Sequence, residues 1–198
     1  MIKKIFRKLA KYIFFKRECL LLEAPLKHSR KITAEGIELR SAREDPDFLP
    51  KVKEYFPGKY NLFKKRLDQN LYCFAIYFDR GKLGAFTWYA TEDYYEPMYR
   101  YTFKLAPHQI YQFDGYVAPE FRKGMLAPRL MFYYAHNYFF CKGYTHTIVS
   151  VDKSNARNLK FHSFWRFRET GEKIVTYFIF KRPFTHSETY SERYLKLR

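Results

Sequence analysis

Eight consecutive residues, Leu71 to Phe78, carry neither a charge nor a strongly polar side chain. A strand with one wet face alternates, so a run this short and apolar on both faces belongs inside a sheet that is covered on both sides. Asp79-Arg80-Gly81-Lys82 then supplies a hairpin turn, and Leu83–Tyr89 returns as the paired strand. The chain must therefore place helices over a sheet, which makes it a mixed α/β fold. At 198 residues, 47% of them hydrophobic, it is long enough to bury one core without disulfides.

The flanking sequence supplies those helices. Asp45-Pro46-Asp47 offers start chemistry ahead of Phe48, Val52 and Tyr55-Phe56, and Pro57-Gly58 ends that helix. A second is predicted over Tyr60 to Asp68, with Phe63 and Leu67 on one face. Ile37-Glu38-Leu39-Arg40 alternates like a first strand, so the main domain is expected to begin near Gly36. Tyr99–Leu105 and Gln109–Val117 read as further strands. A helix over Ala127–Phe140 has Pro128 in its first turn and Gly143 past its end. Thr147–Val151 (strand), Asn155–Trp165 (helix) and Ile174–Phe180 (strand) complete the order, with a polar, frayed tail from Thr185. The division is a basic amphipathic extension over 1–35, with a strand-like apolar run at Cys19–Leu22, the domain over 36–183 and a polar tail over 184–198.

Charge narrows the partners. There are 37 Lys+Arg against 20 Asp+Glu, a net +17, which favours phosphate carried by nucleic acid, lipid headgroups or a cofactor. Residues 1–17 hold Lys3, Lys4, Arg7, Lys8, Lys11, Lys16 and Arg17 and no acid. Ile2, Ile5, Phe6, Leu9, Ile13 and Phe14 are spaced for the opposite helical face. That segment is expected to lie as a helix on an anionic membrane, or to dock on its own domain with its lysines in solvent. It lacks the uninterrupted apolar stretch of a secretory signal. No run reaches the roughly 18 apolar residues of a membrane span. Cys19, Cys73 and Cys141 form neither a disulfide framework nor a CxxC pair, so a reducing cytoplasm is expected. The histidines show no metal-ligand spacing, and neither a dinucleotide fingerprint nor a P-loop occurs.

The most informative segment runs from Tyr116 to Leu130, where a strand ends, a short loop carries Arg122, Lys123 and Gly124, and a helix starts at once. Bare amides and a partial positive charge at a helix start suit a phosphate or pyrophosphate. The segment resembles the cofactor motif of the GNAT superfamily of N-acetyltransferases, V-x-P-E-[YF]-R-G-K-G-[IL]-[GA]. Val117, Pro119, Glu120, Phe121, Arg122, Leu126 and Ala127 match it. A second signature of that family, N-x-x-[SA]-x-x-[FL]-[YH]-x-x-x-G-F, is met by Asn155, Phe161, His162 and Phe167, with Asn158 at the small-residue position. Several positions depart: Lys123 and Met125 stand where the family has glycine, Gly124 stands where it usually has a basic residue, and Arg166 replaces the glycine before Phe167, so that helix is expected to close differently.

The resemblance implies a GNAT fold, a mostly antiparallel sheet with splayed parallel fourth and fifth strands, and acyl-CoA, most simply acetyl-CoA, in the gap between them. It implies that backbone groups of Tyr116 and Ala118, flanking Val117, pair with the pantetheine arm. Amides from Lys123 through Gly124, Met125, Leu126 and Ala127 would hold the pyrophosphate; Pro128 has none to give. An amine then attacks the thioester directly, with no metal. Asp114 is the expected base or amine ligand, or else a backbone cap beside Gly115. Gln112, two residues away and expected on the same strand face, would orient a water. His162 stands where the family usually has the tyrosine that protonates the thiolate, and would supply that proton near neutral pH or simply pack. Asn155 is a cofactor contact or a helix cap. Tyr94, Tyr95, Tyr99 and Tyr101 line an acceptor pocket or belong to the core.

Three functions follow. The first is an acyl-CoA-dependent N-acyltransferase acting on a small or lipid-linked amine. The second takes its acyl group from an acyl carrier protein. The third is a GNAT-fold binding module without activity that meets membrane or nucleic acid through its charge. Against nucleic acid, the cations beyond residue 17 are interspersed with acids and form no basic–aromatic strip.

Overall fold

The computed structural model describes residues 14–28, 34–79, 81–122, 125–180 and 182–195. In chain order they form β1 (Phe14–Pro25), β2 (Ile37–Ser41), α1 (Phe48–Tyr55), α2 (Tyr60–Asp68), β3 (Tyr72–Phe78), β4 (Lys82–Ala90), β5 (Tyr94–Glu96), β6 (Tyr101–Phe103), β7 (Gln109–Val117), α3 (Leu126–Cys141), β8 (His146–Asp152), α4 (Ala156–Phe164), β9 (Arg168–Ile179) and β10 (Arg182–Thr189). Two compact units share these elements. One takes the described residues up to Ala24, then Glu92–Leu105 and the chain from Thr147; the other takes Pro25–Thr91 and Ala106–His146.

In the Pro25–His146 unit the strands run β7-β4-β3-β2, each pair antiparallel. The doubly apolar run is explained by its neighbours. Phe86 and Trp88 face α2, where Phe63 meets Trp88 edge-on at 5.0 Å. Phe74 and Tyr89 face α3, whose Phe139 lies 5.8 and 5.1 Å from them. Both faces of β3 and β4 are thus covered, as the hairpin reading required.

The other unit orders its strands β10-β9-β1-β8, with β9 antiparallel to both β1 and β10. Two expectations change here. Residues 1–13 of the expected helix lie outside the described residues, but Phe14 to Arg17 begin a strand paired with β9. β1 is held by ion pairs that a solvent-facing helix would not make: Glu18 meets Lys173 at 2.8 Å and Arg17 meets Asp152 at 2.5 Å. Leu20 and Leu22 on it are fully buried. The fold therefore draws its core from residues well before Gly36. Nor does the chain fray at Thr185. β10 pairs with β9 through Thr189, and Thr185 hydrogen-bonds Thr176 at 3.0 Å. Its polarity is that of an edge strand whose side chains stay largely in solvent.

The expected strand at Tyr99–Leu105 is shorter and belongs to a hairpin of β5 with β6. Arg100, with φ +49°, turns the chain ahead of it. Tyr99 packs inward, its hydroxyl 3.3 Å from Cys19 Sγ, while Tyr95 is exposed. Among the described residues no helix is long and apolar enough to cross a membrane.

Candidate acyl-donor site

β7 carries a bulge. Tyr116 pairs with Phe86 and Phe113 with Trp88, so Asp114 and Gly115 together oppose the single residue Thr87. Asp114 takes φ +43° to make the bend. The bulge separates two residues that plain alternation would put together. Gln112 turns toward Thr87 on the α3 face, Nε2 to Oγ1 3.4 Å. Asp114 turns to the α2 face, where its carboxylate meets Arg66 at 2.6 Å and Lys59 at 3.3 Å. Their expected common face is lost because one extra residue shifts the side-chain period. Gly115 is the sequence signal that marks it, since a glycine inside a strand commonly marks a bulge.

Arg66 was not foreseen. It is 8% exposed and lies over Phe113 and Trp88 at 5.0 and 5.2 Å from the ring centres. Its place three residues after Phe63 puts it on the buried face of α2, where a cation needs a partner. Asp114 is that partner, which makes it a bound counter-ion of two cations. Gln112 Oε1 is buried and has no hydrogen-bond partner among the described residues.

The strand end also differs from the expectation. The amide of Ala118 donates to Gly84 O at 2.8 Å, and its carbonyl accepts from Phe121 N at 2.9 Å. Alternation then points Tyr116 and Ala118 toward β4 and Val117 away from it. Val117, rather than its two neighbours, has its backbone groups turned away from β4, and its carbonyl already accepts from Arg122 Nε at 2.8 Å. The loop itself is anchored by Phe121, stacked on Phe78 at 3.7 Å over Gly84. A Cβ on Gly84 would sit 2.6 Å from both rings. Glu120 ties the loop to β4 through Lys82 at 2.7 Å.

Lys123 and Gly124 lie outside the described residues. Beyond them Met125 occupies the left-handed region, φ +57°, as the residue before α3. The glycine that the motif expects is absent, yet the backbone it would serve is kept, at a strain of about 1–2 kcal/mol. α3 starts with no side-chain cap and no acid in its first turn. Its first amides, at Leu126 and Ala127, belong to no intrahelical bond, and exposed Arg122 stands just before them. This donor set fits a pyrophosphate.

The remaining expected residues lie in the other unit. Asn155 caps α4, accepting from Asn158 N at 3.1 Å, which realises its role as a cap. Arg166 takes φ +61°, with Arg166 N bonded to Ser163 O and Phe167 N to His162 O, both at 3.0 Å. That is the left-handed closure a glycine would make, so α4 ends as the family motif does, against the expectation of a different close. His162 is buried beside Phe167, ring centres 4.7 Å apart. Burial lowers its pKa to about 4, so the ring is uncharged at neutral pH. The same unit holds a cavity of about 400 Å³ lined by Phe15 to Glu18 and Asp152 to Ser154. Glu18 there is pulled down to about 2, chiefly by its hydrogen bond from Lys173. Burial would raise Asp152, but hydrogen bonds from Ser154 and Arg17 hold it below the ordinary carboxylate value. No single motif flags this cavity, because its walls come from residues more than 130 positions apart.

No protein-family model matches this sequence, and no curated protein matches it. Solved structures do match. A GCN5-related N-acetyltransferase from Sphaerobacter thermophilus aligns at 11% identity with a TM-score of 0.57, over 92% of this chain and 58% of its own. A tandem GNAT protein from the clavulanic acid biosynthesis pathway, solved without AcCoA, aligns at 12% and 0.53, over 77% and 50%. A GNAT-family acetyltransferase from Novosphingobium aromaticivorans, described as putative, aligns at 14% and 0.52, over 90% and 68%. The chain spans half to about two thirds of the length of these structures. With its two antiparallel sheet segments, helices and bulged β7, the chain has the fold of the GCN5-related N-acetyltransferases.

Proposed function

We propose that this chain is an acyl-CoA-dependent N-acyltransferase that moves an acyl group, most simply acetyl, to a primary amine. The observation that supports it best is the uncapped start of α3, placed directly after Val117, whose backbone groups turn away from β4. Acyl-CoA, when bound, supplies an activated thioester. Val117 would pair with its pantetheine arm, and the amides of Leu126 and Ala127 with Arg122 and Lys123 would neutralise its pyrophosphate. The amine nitrogen bonds to the acyl carbon, the carbon–sulfur bond breaks, and one amine proton reaches the departing sulfur. Gln112 would hold the water that carries this proton, since its buried Oε1 is the unsatisfied acceptor of the strand. Asp114 is left to position Lys59 and Arg66. The acceptor is a small or lipid-linked amine in the cytoplasm, the compartment that suits three free cysteines.

Calorimetry with acetyl-CoA tests the reading directly: saturable binding is expected, and no heat at millimolar ligand overturns it. Turnover with an acyl carrier protein but not with acyl-CoA would reassign the donor. Binding of DNA with a steep salt dependence, in the absence of either, would favour a module without activity.

A further inference from the structure

Large apolar side chains that the fold leaves exposed gather at one end of the β10-β9-β1 segment. Phe14 is 51% exposed, Phe180 71% and Phe184 55%; Phe15 and Ile179 are also exposed. The register brings them together. Phe14 pairs with Ile179, which pairs with Arg182, and Lys16 pairs with Tyr177, which pairs with Phe184. One face of the three strands therefore carries Phe14, Ile179, Tyr177 and Phe184 beside Lys16 and Arg182. Phe14 stacks on Tyr177 at 5.8 Å, and Lys16 Nζ stands 5.7 Å over the same ring.

The turn between β9 and β10 is the second observation. Ile179 opposite Arg182 leaves two sequence positions between the strands, of which Phe180 is the first. Such loops favour Asn-Gly because they need φ above zero, and Phe180 adopts φ +46°. A bulky aromatic in that region is uncommon and strained, and here it projects into solvent. Local folding would favour nearly any small polar residue at this place.

Charge identifies the occupant. Residues 1–17 contain seven Lys or Arg and residues 174–187 contain two, and neither stretch contains an Asp or Glu. All the acids of the chain lie elsewhere. Projecting aromatics beside Arg182 and Lys16, the latter shared with Glu18 at 3.2 Å, suit the interface of an anionic bilayer, where rings sit among acyl chains and cations among phosphates. We propose that the start of β1 and the β9–β10 tip insert into an anionic phospholipid surface. This proposal is independent of acyl transfer.

The test is co-sedimentation of the full chain with vesicles of phosphatidylcholine containing 30 mol% phosphatidylglycerol, roughly the anionic content of many natural membranes. Binding is expected, weakened by 0.5 M salt, where the Debye length is about 4–5 Å, and nearly absent with phosphatidylcholine alone. F180N/F184S keeps a turn-compatible residue at 180 and should lower the partition coefficient at least tenfold, with a thermal midpoint no lower than that of the wild type and unchanged acetyl-CoA binding. F180W should be quenched by brominated lipid beyond the wild-type signal. Failure to bind anionic vesicles overturns the proposal. So does undiminished binding by the double variant, which would assign the attraction to residues 1–13 alone. A wild-type dimer that F180N/F184S converts to a monomer, with no change in vesicle binding, would make the patch an interface between copies and also overturn it.

Discussion

Helix α4 satisfies its own start, with Asn155 accepting from the amide of Asn158, whereas α3 begins at a left-handed Met125 with no cap, no acid and a proline in its first turn. A missing cap ordinarily costs about 1 kcal/mol. α3 carries that cost together with the strain at Met125, although its body is well packed through fully buried Ala127, Ala135 and Phe139. The contrast separates two uses of a helix terminus. One is closed for stability. The other leaves its donors uncapped, as the proposed acyl-donor site requires, and it is the one that follows the V-x-P-E-F-R segment.

The largest expected effect comes on acidification, through one buried histidine in each helix, His162 in α4 and His136 in α3. His162 binds its proton with a pKa of about 4 in the fold against 6.5 in the unfolded chain, because burial penalises the imidazolium. The unfolded state therefore holds more protons between those values, and stability is complete above pH 6.5 and lost as pH falls toward 4. The loss is about 3 kcal/mol for this ring, and buried His136 adds a similar slope. Thermal midpoints from pH 7.5 to 4.5 measure it. H162F should remove one share of the slope, and an unchanged slope would show that His162 titrates normally.

Next is the loop that leads into α3. G84A places a Cβ against Phe78 and Phe121 and should cost about 2 kcal/mol, because both rings belong to a packed stack. Displacing Phe121 should also weaken acetyl-CoA binding, whereas N155A, costing about 1 kcal/mol at the α4 start, should leave it nearly unchanged. Equal loss of acetyl-CoA affinity in both variants would erase the distinction between the two helix starts. The smallest effects are gains. M125G and R166G relieve left-handed strain and should each stabilise by about 0.5–1 kcal/mol in chemical denaturation. If M125G also tightens acetyl-CoA binding, the Met125 side chain limits the approach of the phosphates; if only stability rises, it does not.

Much of this was legible in the residues. The β3–β4 hairpin, both early helices, α3 and α4 follow from local pattern, because their apolar spacing and punctuation agree with their burial. The bulge was visible only as Gly115, and its consequence, that Asp114 leaves the face of Gln112, depends on counting residues against β4. Phe14–Arg17 was read as helix because cations and apolar residues spaced for helical faces also fit a strand that pairs on both sides. The Asp114 clamp was hidden for a related reason: Arg66 counts as a surface residue until α2 turns it under Phe63. β10 was missed because edge strands carry polar side chains, and pairing leaves no trace in composition.

The pairing of β1 with β9 has a consequence for how the protein is made. Phe14 meets Ile179, so the first strand of its unit waits for a partner 165 residues later. At roughly 5–20 residues per second, that is on the order of 10–30 s of synthesis. Until β8 (His146–Asp152) emerges the Cys19–Leu22 run has no strand to pair with, while the Pro25–His146 unit needs no strand from the β9 segment and can fold first. Non-local closure is slow and leaves sticky strands in the open. Nascent chains of this protein are therefore expected to leave β1 open to chaperones until β8 and β9 have left the ribosome.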